Sequence, residues 1–221
     1  LLPYIIIDAP PAPGRLAIHV DERLAMQQAV EHLVQLGHQR IAFLSITFSP
    51  KPAIYQPVRH GQYLQGYVAA MKAAGLSPLS GWDDLNIEED SVIETIVKRV
   101  RSGQEATALI AYDNCDAMTF IRGLNQKGLR VPEDVSIVSL HDRHDVGILT
   151  KWNAHMPSIT RYPNTLAEMS EIAVDKLIEM IETEQLIDPQ DTPAPIILPP
   201  KLIIGESTGP PPALRSPGPP A

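Results

Sequence analysis

Apolar positions recur at helical spacing along much of this chain, and each such run leads into a short block that is apolar without interruption. In Val30–Ser45, VEHLVQLGHQRIAFLS, residues Val30, Leu33 and Leu36 share one helical face. Gly37 is placed to take the left-handed conformation that stops a helix. Ile41–Leu44 then has no polar position for a wet face, which suits a parallel strand covered by helices on both sides. Helix Ala117–Lys127, Gly128 and strand Val135–Leu140 repeat the device. Strands that alternate with helices predict an α/β fold with a mostly parallel sheet and right-handed crossovers.

The same reading predicts strands at Tyr4–Asp8 and Ala17–Val20, with Asp21 as N-cap of a helix Arg23–Leu36. A proline-containing loop, Ile46–Val58, precedes a helix Tyr63–Ala74 that ends at Gly75. A short strand Leu85–Ile87 and a helix Ser91–Ser102 follow, the helix preceded by Glu88, Glu89 and Asp90, which favour its positive end. Strand Ala108–Ala111 runs directly into a helix beginning near Asn114. A long helix is expected over Thr165–Glu184, and closing strands at Ile196–Leu198 and Leu202–Ile204. From Gly209 onward the chain is proline-rich and expected to be disordered.

Charge and composition narrow the function. A formal net charge of −8 over 221 residues supplies no basic stripe for a nucleic acid. One cysteine, Cys115, rules out a disulfide framework and favours a reducing compartment. No apolar run reaches the roughly 20 residues that span a bilayer, and LLPYIIIDAPP reads as a buried strand, not a leader. A cytoplasmic protein without cofactor or metal is expected. In an open parallel sheet, ligands sit beyond the carboxyl ends of the strands. That rule gathers Asp8, the loop after Ser45, Asp113, Asn114, His141 and Asp142 at one edge, although they are far apart in sequence.

Several long motifs, in order, resemble the effector-binding core of the lactose/galactose repressor family of bacterial transcription regulators. They are LPYIIIDAP, HVDERLAMQQAVEHLVQLGHQRIAFL, QGYVAAMKAAGL, ALIAYDNCDAMTFIRGLNQKGLRVPEDVSIVSLHD and PPKLIIGEST, and together they cover about residues 3–208. The resemblance implies a type I periplasmic-binding-protein-like fold: two Rossmann-like lobes joined by three crossings, closing on a small polar molecule and acting as a homodimer. Carried over, the crossings fall near Val20–Asp21, Pro157–Ile159 and Asp188–Gln190. The N-terminal lobe is then 1–20 and 158–189, the C-terminal lobe 21–157 and 190–208, and the tail 209–221. Relative to the family, upstream lobe residues and a DNA-binding helix-turn-helix headpiece are missing from these 221 residues, so DNA would be reached only through such a headpiece. The N-terminal lobe is expected to be incomplete, with part of its long helix uncovered.

The resemblance also implies effector contacts, and this chain departs from the family at several. Asp8 matches an acidic position used by some members. Tyr63 stands where an arginine precedes the Gly66–Tyr67 pair, and Ser91 where an aromatic often stacks on the ligand. Asp113–Asn114 reverses the family's Asn–Asp order, and His141 replaces the first of two aspartates, Asp142 keeping the second place. Arginine brings a rigid fork of donors where tyrosine brings one hydroxyl and a ring face. Histidine can donate as well as accept and titrates near neutrality. An altered effector and lost binding are both compatible with these changes.

Simpler readings compete with other candidates. His141, Asp142, His144, Asp145 and His155 have no fixed metal geometry and read as a polar loop. His38, in the turn Gly-His-Gln-Arg, reads as a capping or packing residue, and Cys115 as a small buried one. No nucleophile elbow, phosphate loop or dinucleotide fingerprint is present, so an enzyme is not expected. The rival functional class is a solute-binding protein of a transport system, which shares the fold.

Overall fold

The computed structural model describes residues 3–44, 56–80, 82, 89–102, 105–142, 156–184 and 186–212. The chain divides into two compact units, one formed by 1–22 and 164–200 and the other by 23–163 and 201–221.

The larger unit is built on a four-stranded parallel sheet in the order β3 (Ile41–Leu44), β4 (Ala108–Ala111), β5 (Ser136–Ser139), β6 (Thr160–Arg161). Every residue of β3, β4 and β5 is buried, as strands covered by helices on both faces require. Alternation along the strands divides these side chains between two cores. Ala42, Leu44, Leu109, Ala111 and Ile137 pack under α3 (Glu89–Arg101) and α4 (Asn114–Gln126). Ile41, Phe43, Ala108, Ile110 and Val138 pack under α1 (Glu22–Gln35) and α2 (Gln56–Ala73). Val30 and Leu33 on α1 are fully buried, and Gly37 ends that helix region at φ 98°. Gly128, at φ 79°, does the same after α4.

The smaller unit holds a three-stranded parallel sheet, β1 (Ile5–Ile7), β2 (Leu16–Val20) and β7 (Ile196–Leu198), in the order β1-β2-β7. Helix α5 (Leu166–Glu182) packs Met169 and Ala173 with Ile18 and Leu198, and its Met180 is also buried. Its Leu166, Val174, Ile178 and Ile181 are exposed.

Several expectations need correction. Helix α2 begins at Gln56, inside the segment read as loop, because a proline (here Pro57) is tolerated in a first helical turn. Strand β6 was assigned with 158–189 to the N-terminal lobe, but it hydrogen-bonds to β5 in the larger unit. Strand β7 was assigned with 190–208 to the C-terminal lobe, but it pairs with β2 in the smaller one. The later crossings therefore fall after Pro163 and after Pro200, not near 157–159 and 188–190. Hydrogen-bond register decides this, and apolar pattern does not reveal which sheet a short strand joins. Of the expected strand Leu202–Ile204, one bridge remains, between Ile203 and Arg161. The tail is anchored at its start, where Gly209 bonds to Ser136 and His38. Strand Leu85–Ile87, the loop 46–55 and residues 213–221 lie outside the described residues.

Candidate functional site

The carboxyl ends of β3, β4 and β5 are brought level by backbone bonds: Tyr112 N–H to Leu44 O at 3.0 Å and Leu140 N–H to Ala111 O at 3.1 Å. The residues just beyond them form a buried polar group. Asp113 is the N-cap of α4, its carboxylate accepting from Asp116 N–H at 2.9 Å. Asn114 donates its backbone N–H to His141 O at 2.9 Å and its side-chain amide to Asp142 Oδ1 at 2.6 Å. The other carboxylate oxygen of Asp142 accepts from Arg161 Nε at 3.2 Å. Asp113, Asn114, Asp116 and Asp142 are all buried, so these bonds also compensate for lost hydration.

Both oxygens of Asp142 are thus held by protein donors, and the residue serves as a hub that orients its neighbours. Arg161 is different. Its side chain is 26 % exposed, and apart from Nε the guanidinium donors make no hydrogen bond among the described residues. A planar fork, braced at one corner by a buried carboxylate, is a suitable receptor for ligand oxygens. The motifs did not single out Arg161. Its signal is tertiary, because β6 enters the sheet beside β5 with Ser139 opposite Arg161.

Tyr63, expected at the site mouth, is 3 % exposed and packs against Phe43, with ring centroids 6.5 Å apart. It also meets Tyr112 edge-on at 5.6 Å and 89°. The ring belongs to the core, and Tyr112, half-buried beside Asp113, is what it presents to the carboxyl edge. His141 is half-buried and contributes its carbonyl to the cluster. Asp8 ends β1 in the smaller unit at φ 56°, its N–H bonded to Ile18 O at 2.8 Å. Ser91 falls in the first turn of α3. The structure therefore gathers Asp113, Asn114, His141, Asp142 and Arg161 at one sheet edge, with Tyr63 behind Tyr112. Among the described residues no group of three or more His, Cys, Asp or Glu is arranged for a metal. His144, Asp145 and His155 lie outside the described residues.

A family model for the periplasmic binding protein-like domain matches residues 30–208. The chain belongs to the periplasmic binding protein-like domain family. Relatives in it are regulators: the HTH-type transcriptional repressor PurR of Glaesserella parasuis is 26 % identical over 212 residues, covering 93 % of this chain and 58 % of the repressor. A LacI family transcriptional regulator of Mycobacterium smegmatis has the same fold, with TM-score 0.70, 27 % identity and coverage of 94 % of this chain and 70 % of that one. A second LacI family regulator, from Enterococcus faecium with bound ribose, superposes with TM-score 0.67 at 22 % identity, covering 94 % of this chain and 71 % of that one.

The motif resemblance to the lactose/galactose repressors holds, and the solute-transport alternative is not favoured by these relatives. This periplasmic binding protein-like chain spans 58 % of the length of the first curated relatives it matches. No helix among its described residues is long and apolar enough to cross a membrane.

Proposed function

We propose that this chain is the effector-sensing core of a transcription regulator of the lactose/galactose repressor type. It works in the cytoplasm, as a dimer, and is not an enzyme. Its effector is a small polyhydroxylated or similarly polar molecule bound at the carboxyl edge of the β3-β4-β5-β6 sheet. The observation that carries the reading is the braced guanidinium of Arg161, presented beside the buried Asn114–Asp142 pair within a domain of this family. Arg161 donates to ligand oxygens, and Asp142 and Asn114 hold it in place. Tyr112, backed by Tyr63, offers a ring face, and His141 and Asp113 flank the same edge. The family resemblance also suggests Ser91 and, on the smaller unit, Asp8 as effector contacts. Binding acts on DNA affinity only through its different strength in two conformations of the whole regulator, which requires a DNA-binding segment joined to this core.

D-ribose, the ligand of the Enterococcus faecium regulator, is a rational first probe, with D-xylulose and the purines adenine and guanine beside it. A ligand at about 100 times its Kd stabilises the native state by about 2.7 kcal/mol, which raises Tm by several degrees. Thermal shift followed by titration calorimetry should find such a rise in wild type, and R161Q, whose unliganded Tm should be lower because the buried Asp142 loses its cationic partner, should show no rise. No rise with any probe would refute the effector-sensing reading. A rise that R161Q retains would remove Arg161 from the site and leave the reading standing.

A further inference from the structure

The amino edge of the same sheet carries a second buried polar cluster, which the effector site does not use. Residues 203–209 run along it as a strap. Ser207 sits between the starts of β5 and β6: its N–H donates to Ser158 O at 2.9 Å, and its carbonyl accepts from Ile137 N–H at 2.8 Å. Its hydroxyl donates to Ile137 O at 2.6 Å and accepts from Thr160 N–H at 2.9 Å. Two histidines then hold the next two residues. His32 Nε2 lies 3.0 Å from Thr208 Oγ1, which is itself 2.8 Å from Thr160 Oγ1. His38, only 1 % exposed, places Nε2 2.9 Å from Gly209 O and Nδ1 2.9 Å from Thr107 Oγ1.

The carbonyl of Gly209 can only accept, so Nε2 of His38 carries the proton and Nδ1 accepts from the Thr107 hydroxyl. The neutral ring is fully satisfied in this arrangement. A second proton on Nδ1 would leave the Nε2–H bond to Gly209 in place and turn the Thr107 hydroxyl toward Arg40 O, a longer 3.3 Å contact, so what opposes it is a buried charge without a counter-charge in a site 1 % exposed. We propose that His32 and His38 form a pH-sensitive latch, which holds the strap 203–209 on the sheet while both rings are neutral and releases it when they take up protons.

Burial holds both histidines below the ordinary value of 6.5, and at His38 the charge of His32 adds to this while the Gly209 carbonyl opposes it. A group depressed in the native state contributes stability that is complete above pH 6.5 and lost as pH falls through its native value. Charged groups on the surrounding elements do not offset this. Glu31 of α1 acts on Tyr162, and Asp134 before β5 is engaged by Arg130. Glu206 of the strap is engaged by the Ser158 amide and hydroxyl. Arg40 brings a further cation, its Nε buried without a partner among the described residues. Because Ile203 exchanges two backbone bonds with Arg161, release of the strap also frees one edge of β6.

Hydrogen exchange of the whole chain, read by mass spectrometry at pH 7.5 and 5.0 and corrected for intrinsic rates, tests the latch. Amides of 203–209 should lose protection at the lower pH, while β4 stays protected. The H32Q/H38Q double variant should show no pH response in the strap. Should that variant fail to fold, the imidazole proton resonances of wild type serve instead: His38 should titrate with the midpoint of strap opening. Strap protection that is flat with pH in wild type, a pH response that survives in the double variant, or a protonated His38 under a protected strap would each overturn the latch.

Discussion

At the residue scale, Asp142 and Asp113 look alike in the sequence and do different work. Asp113 caps α4, so Asp113→Ala should cost about 1 kcal/mol in chemical denaturation and leave the remaining bonds of the cluster in place. Asp142 joins Asn114 to Arg161, and removing it strands a buried amide and a partly buried cation. Asp142→Ala should therefore cost about 3 kcal/mol, clearly more than the cap. Equal losses in the two variants would show that the hub is no more than a second cap. Asp113 and His141 were legible as candidates because position after a strand is a sequence property. Arg161 was not, since a two-residue strand leaves too little pattern to announce which sheet it joins.

At the element scale, α3 and α4 approach closely at Gly123, where an added Cβ would come within 2.6 Å of Ile93 Cδ1 and 2.7 Å of its Cγ1. Gly123→Ala should cost about 1–3 kcal/mol through overpacking, and Ile93→Ala in the same chain should recover part of it. A loss that the second substitution leaves unchanged would place the strain elsewhere. On α5 the buried side is Met169, Ala173 and Met180. Val174, Ile178 and Ile181 are 54 %, 49 % and 62 % exposed and line up at helical spacing. V174K/I178K should leave unfolding free energy within about 0.5 kcal/mol and raise solubility, measured by light scattering. A large stability loss would mean that the stripe is already covered in solution.

At the scale of the whole molecule, stability against pH is bounded on the alkaline side by Tyr162. Its hydroxyl donates to Ala25 O at 2.7 Å, and burial together with Glu31 raises its pKa far above the ordinary 10.0. A group kept neutral by the fold contributes stability below pH 10 and loses it as pH rises beyond. Unfolding free energy should fall above pH 10 in wild type and fall less steeply in Tyr162→Phe. Parallel curves would exclude the tyrosine as the cause. The division into units was legible in kind but misplaced in detail, because β6 and β7 are short and each was given to the other unit.

The sequence by itself determined the layered α/β architecture, the helix stops at Gly37 and Gly128, and which strand ends could carry chemistry. Those follow from local conformational preference and from a period of apolar residues that any neighbour would enforce. Only the tertiary structure decided that Asp142 is a hub, that Tyr63 serves the core, and that Arg161 stands at the carboxyl edge of the larger sheet. It also decided that the segment through Gly209 straps the opposite edge through His32 and His38. Each of these depends on partners far apart in the chain, and hydrogen-bond register between distant strands leaves no mark in the spacing of any one segment.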